Sequence, residues 1–180
     1  MLKHEIEEEL EGKGDFVKID LLERYLDQSP PLDLKKFALR ILIQVYDNIK
    51  MFNEAGKTEE ILATNSIAFS EKNNHFVKAA GFYIKASQFN SADYAMKRAM
   101  VEANQTEKQD IYFAVKDFYK RQAEVYEREL KRKNALRIYE KLLEMNISDL
   151  EKKEIKERLL GLYEKLGMLK EYYALKKALD

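Results

Sequence analysis

One tyrosine returns in the same local setting four times, and this constrains the chain more than any other feature. The segments VYDNIKMFNEAGKTEEIL, FYIKASQFNSADYAMKRAM, VYERELKRKNALRIYEKLL and LYEKLGMLKEYYALKKAL align with Tyr46, Tyr83, Tyr126 and Tyr163 in register, at intervals of 37, 43 and 37 residues. A fainter copy starts at Leu10, 36 residues before Tyr46, and carries EGKGDFVKIDLLERYLDQSPP. A period of this length marks a supersecondary unit that cannot bury its own apolar face and gains a core only by stacking on its neighbours.

Inside each copy the apolar positions recur at three and four, the helical period, and never alternate as in a half-buried strand. Each unit therefore reads as a helix pair. The first helices end around Lys50, Gln88, Lys131 and Gly167; the second run over about 52–64, 90–104, 133–145 and 168–179. Asn90-Ser91 and Ser148-Asp149 have the composition of caps, and Glu151 stands three after Ser148 in capping-box spacing. Pro30-Pro31 terminates the second helix of the first copy. The 43-residue interval holds six residues more than its neighbours, about 9 Å of helix. Their place is in NQTEKQDIYFAVKDFYKRQAEVY, which predicts a long first helix from about Glu107 to Leu130 that protrudes or lengthens a neighbouring connection. The expected units are about 1–33, 34–70, 71–105, 106–147 and 148–180, within one domain over 1–180. The fold class is all-α.

Small residues at Ala80, Ala92, Ala123 and Ala135 let helices approach, while Tyr83, Phe89, Tyr126 and Tyr139 fill the space between successive pairs. Counted from each tyrosine, small residues fall three before it at Ala80 and Ala123, glycine four after at Gly167 and, from Leu10, at Gly14. Bulky residues follow six after at Phe16, Phe52, Phe89 and Leu169, and small ones nine after at Ala55, Ala92 and Ala135. At thirteen after, Tyr139 keeps an aromatic while Glu23, Glu59 and Lys176 depart. This pattern resembles a tetratricopeptide-type array, in units longer than is usual there. The resemblance implies antiparallel helix pairs stacked into a right-handed superhelical solenoid that binds peptides and proteins in a concave groove lined by the first helices.

Catalytic and metal chemistry find little support along the chain. There is no cysteine, so disulfides, thiolate metal sites and cysteine nucleophiles are excluded. His4 lies among Glu5, Glu7, Glu8 and Glu9, where one histidine and exposed carboxylates make poor ligands. His75 reads as a surface or cap-adjacent histidine with no local partner to orient it as a base. Gly12-Lys13-Gly14 lacks the spacing of a phosphate loop and reads as a turn. The expectation is a non-enzymatic chain with no metal and no cofactor. No stretch reaches the length of a membrane span, and MLKHEIEEELEG lacks the order of a secretory signal, which makes the cytoplasm the expected location.

Function must then lie on surfaces. The 32 basic and 32 acidic residues cancel, but residues 1–34 hold four cations against ten anions, whereas 105–180 hold eighteen against fifteen. Opposed ends favour head-to-tail contact or suppress self-association. Eight cations between Lys116 and Arg137 are punctuated by acids; a solvated helix face, an anionic peptide site and weak nucleic-acid binding all fit them, although no exposed aromatic platform accompanies the charge. The resemblance places Arg40, Gln44, Asn48, Lys78, Lys85, Lys120, Glu124 and Arg128 along the groove. Carried over from family members that hold a partner's C-terminal carboxylate, a clamp falls on Arg40, Gln44, Lys78 and Arg121, with Gln44 in place of an asparagine and Asp117 where a base is expected. The implied partner is another protein or peptide, acidic in the clamp reading. The last unit, LKEYYALKKALD, offers Tyr173, Leu175 and Leu179 as a homodimer surface.

Overall fold

The computed structural model describes residues 2–179. Among them every regular element is a helix: α1 (Lys3–Leu10), α2 (Asp15–Asp27), α3 (Leu32–Asn48), α4 (Phe52–Thr64), α5 (Phe69–Lys85), α6 (Phe89–Met100), α7 (Gln105–Arg128), α8 (Arg132–Glu144), α9 (Asp149–Leu166) and α10 (Leu169–Lys177). The helices fall into pairs of a first and a second member. The second helices begin at Asp15, Phe52, Phe89, Arg132 and Leu169, so the spacing of 37 and 43 residues read from the tyrosines is the spacing of the helices themselves.

The turn inside a pair is the same in four units. Lys50, Ser87, Leu130 and Gly167 all have positive φ, between 57° and 69°, and each stands four residues after a register tyrosine. The amide one residue further on donates to the tyrosine carbonyl at 2.8 Å in every case, from Met51, Gln88, Lys131 and Met168. This left-handed closure caps the first helix and reverses the chain. Only Gly167 adopts it without a Cβ. In the first unit the left-handed residue is Gly12, while Gly14 is an ordinary helix N-cap with φ of −69°. Gly12 precedes α2 by three residues, against two for its counterparts, so this turn is one residue longer.

Helix starts follow two patterns. Ser148 Oγ accepts from the Glu151 amide at 3.2 Å, and Glu151 returns a carboxylate to the Ser148 amide at 2.8 Å, the expected capping box. Asn104 and Glu107 make the same reciprocal pair at the start of α7, at 3.0 and 2.8 Å. Asn90 and Ser91 do not cap: α6 begins at Phe89, so both lie inside the helix. The capping composition there was misleading because the preceding turn, closed by the backbone, fixes the helix start one residue earlier. α2 ends at Asp27, and Pro31 serves as the N-cap of α3.

The chain forms two compact units, residues 1–112 and 113–180, and their boundary lies inside α7. In the first unit α3 packs on α2 and α4, α4 on α5, and α5 on α6. One core joins Ile6, Leu10, Leu22, Ala38, Leu42, Tyr46 and Ala55; another joins Ala63, Phe76, Ala99, Ala103 and Ile111. In the second unit α9 packs on α8 and α10. Buried there are Tyr119, Ala123, Ala135, Ile138, Tyr139, Leu142, Ile155 and Leu159.

The extra residues of the long interval are helical, as expected. α3, α5 and α9 begin fourteen residues before their tyrosine, but α7 begins twenty-one before Tyr126. That is seven residues, about 10 Å of helix. These two turns do not simply protrude, because Ile111 is buried with Phe76 and Ala99 in the first unit.

Close packing is sharpest at Gly56 of α4. A Cβ there would stand 2.8 Å from Cε1 of Tyr83, whose ring is buried. Gly56→Ala is predicted to lower the melting temperature: overpacking costs about 1–3 kcal/mol, more than the roughly 1 kcal/mol gained in helix propensity. Gly161→Ala, in α9 with open space around it, is predicted to raise it. Thermal unfolding of the two variants checks the pair, and equal gains from both contradict the packing.

Candidate functional site

The first helices carry their polar stripe at four-residue spacing. On α3, Arg40, Gln44 and Asn48 are all exposed; on α5, Lys78 is exposed and Lys85 half-buried. In the first unit an open groove of about 630 Å³ runs beside Gln44 and Asn48. Its other polar lining residues are mostly acidic, Glu7, Glu8 and Glu11 of the α1 segment and Asp15 at the start of α2, with His4 and Lys18 among them. Two of the expected groove residues thus meet in one concavity, facing carboxylates that the sequence pattern had not placed there. In the second unit Lys120, Glu124 and Arg128 repeat the four-residue stripe on α7, and a hollow of about 500 Å³ is lined by Glu154, Glu157 and Arg158 on α9.

Several of the expected cations are occupied internally. Lys36 and Arg40 both reach Glu71, at 3.1 and 3.4 Å. Lys116 reaches Glu151 at 3.0 Å, and Lys120 bonds the same carboxylate. The two clusters share their spacing: the cations precede their glutamate by 35 and 31 residues in both. Glu71 and Glu151 are each the third residue of a first helix, where a carboxylate also meets the positive end of the helix dipole. Lys85 pairs with Asp47 at 3.0 Å and lies over the rings of Phe52 and Phe82. Arg121 is tied to Asp117 at 2.7 Å, four residues before it on the same helix, so the acid that replaces the expected base neutralises the clamp arginine. Lys78 and Arg128 make no ion pair among the described residues.

His75 is not a surface residue. It is buried, its Nδ1 2.6 Å from Oε2 of buried Glu59 on α4 and its Nε2 3.9 Å from Glu71. Burial pushes the Glu59 carboxyl up, while the bond to His75 opposes that shift. The signals were present in the chain: Glu71 precedes His75 by one helical turn, and Glu59 occupies a position where the pattern expects an aromatic. A second internal cluster joins Tyr139, whose hydroxyl donates to Glu127 at 3.0 Å, with Arg158, which donates to the same carboxylate at 2.6 Å. Among the described residues no group of three His, Asp or Glu side chains is placed to hold a metal ion, and no helix is long and apolar enough to cross a membrane.

At the other end of the sequence α10 buries none of its residues. Tyr173 is 64% exposed and Leu179 37%, while Leu175 is half-buried. Comparison with protein-family models, with curated proteins and with solved structures finds no match to the chain.

The Glu151 cluster makes stability depend on acidity. Bonds from Lys120, from the Ser148 amide and from Lys116 hold its carboxyl down to about 2. The folded value lies below the unfolded one, so the contribution is complete above the ordinary carboxylate range and is lost as pH falls towards 2. The stability difference between the native chain and Glu151→Gln is therefore predicted to stay constant above about pH 5.5 and shrink below it. Urea unfolding at a series of pH values measures this, and a pH-independent difference contradicts it.

Proposed function

We propose that the chain is a protein-interaction scaffold: a right-handed, tetratricopeptide-like stack of helix pairs that binds a peptide segment along its first helices by equilibrium association. The observation that carries this reading is the open groove of the first unit, where the side-chain amides of Gln44 and Asn48 face the carboxylates of Glu7, Glu8 and Glu11. Amides at four-residue spacing offer both donors and acceptors to an extended backbone, and flanking charges choose among sequences. The charge is mixed. Glutamates on the α1 side favour basic residues, whereas Arg40 and Lys78 on α3 and α5 favour acidic ones. Arg40 is the more available of the Glu71 partners, being more than half exposed while Lys36 is largely covered. The ligand that fits is a peptide with basic and acidic segments rather than a uniformly acidic tail.

Titration calorimetry with a peptide library of segregated charge tests this. Binding is predicted to weaken about tenfold with Gln44→Ala/Asn48→Ala and to weaken with added salt. Lys78→Glu is predicted to disfavour acidic segments selectively. Peptide binding that none of these substitutions alters, or no binding across the library, contradicts the reading.

A further inference from the structure

Three of the contacts between consecutive helix pairs share one arrangement, and α10 exposes the same positions. In α2 and α4 the fifth and ninth residues, and in α8 the ninth, face the register tyrosine of the next pair, whereas α6 holds Asp93 and Lys97 at these positions. In α2 these are Ile19, packed in the same core as Tyr46, and Glu23, which accepts the Tyr46 hydroxyl at 2.6 Å. In α4 they are Gly56, against the Tyr83 ring, and Glu60, hydrogen-bonded to Tyr83. In α8 the ninth residue, Glu140, accepts the Tyr163 hydroxyl at 3.1 Å. In α10 the same positions hold Tyr173 and Lys177, both exposed. Tyr173 is held edge-on against Tyr172, with centroids 5.3 Å apart.

The first pair shows the complementary exchange. Tyr46, Tyr83, Tyr126 and Tyr163 each stand six residues before the second helix of their own pair and four before its left-handed residue; because the first turn is one residue longer, six before α2 stands Glu9 and four before Gly12 stands Glu8, both exposed. Where three contacts between pairs set a tyrosine on a glutamate, α10 exposes a lysine and α1 exposes glutamates. The helices carrying them agree in sign: α1 holds four glutamates and one lysine, α10 three lysines and one glutamate. Phe16 and Val17, exposed at the start of α2, add apolar surface to the acidic end. A two-fold pairing of α10 with itself would instead set one basic face, carrying Lys170, Lys176 and Lys177, against the same basic face of its copy.

We propose that the basic α10 face of one molecule docks on the acidic α1 face of a second copy, Lys177 pairing with the exposed carboxylate of Glu9 and Tyr173 packing on the apolar surface of Phe16 and Val17 beside it. The contact joins two different surfaces, so it is heterologous and does not stop at a dimer unless it closes a ring.

Light scattering coupled to size exclusion, run over a range of concentrations of the full chain, is the test. The native chain is expected to exceed 21.3 kDa with a mass that rises with concentration and falls with salt. Tyr173→Lys and Glu9→Lys, both at exposed positions, are each expected to weaken self-association by about tenfold or more. Mixed together they are expected to form a one-to-one complex, since one keeps an intact acidic end and the other an intact basic end. Circular dichroism confirms that both remain folded. A native chain that stays monomeric at every concentration overturns the proposal. So does a Glu9→Lys variant that still dimerises alone, which assigns the α10 face to a two-fold contact.

Discussion

A buried phenol has to place its hydroxyl, and the way this chain does so links three of its helix pairs to the one before. Tyr46 and Tyr163 donate to carboxylates 23 residues earlier, Glu23 and Glu140, and Tyr83 is bonded to Glu60 at the same spacing. Burial and the adjoining carboxylate push the phenols up, Tyr163 to about 12, so the donor stays protonated. The same residue supplies the carbonyl that closes the left-handed turn within its pair. One position therefore fixes both the reversal of the chain inside a unit and the seat of that unit on its predecessor. The residue 23 before Tyr126 is Ala103, which has no carboxylate to offer. That is also the interval lengthened to 43 residues and the helix in which the two compact units divide.

The charged clusters repeat this logic at the surface. Two cations one turn apart on a first helix grip a carboxylate at the third position of a later first helix, in both Lys36/Arg40/Glu71 and Lys116/Lys120/Glu151. Lys36 and Lys116 are largely covered, while Arg40 is more than half exposed and its bond contributes little by itself; all four cations are engaged within the chain. Among the described residues, the groups without an internal ion pair include the amides of Gln44 and Asn48 on α3, Glu7 and Glu8 on α1, and Lys78 and Arg128.

The helical class, the pairing of helices and the placement of the long helix were legible because each rests on a local signal: apolar spacing of three and four, short turns and a fixed tyrosine register. The span of α4 agrees residue for residue, 52–64. Contacts that depend on distant residues were less legible. His75 reads as solvated until Glu59 arrives from the neighbouring helix, and Arg40 or Lys120 reads as free until Glu71 or Glu151 comes beside it. Positive φ at Lys50, Ser87 and Leu130 was hidden by side chains that do not advertise it, although Gly167 at the matching position gave the clue. The composition Asn90-Ser91 misled for the opposite reason: a capping preference yields when the preceding turn already sets the helix start.

The hydroxyl-to-carboxylate link is most directly tested by a double-mutant cycle on Tyr46→Phe and Glu23→Gln, followed by urea unfolding. A hydrogen bond to a charged acceptor at a largely buried tyrosine predicts a coupling of about 1–2 kcal/mol. Losses that add to within about 0.5 kcal/mol would show that the tyrosine holds its place by packing alone, and the account of how successive pairs are joined would fail.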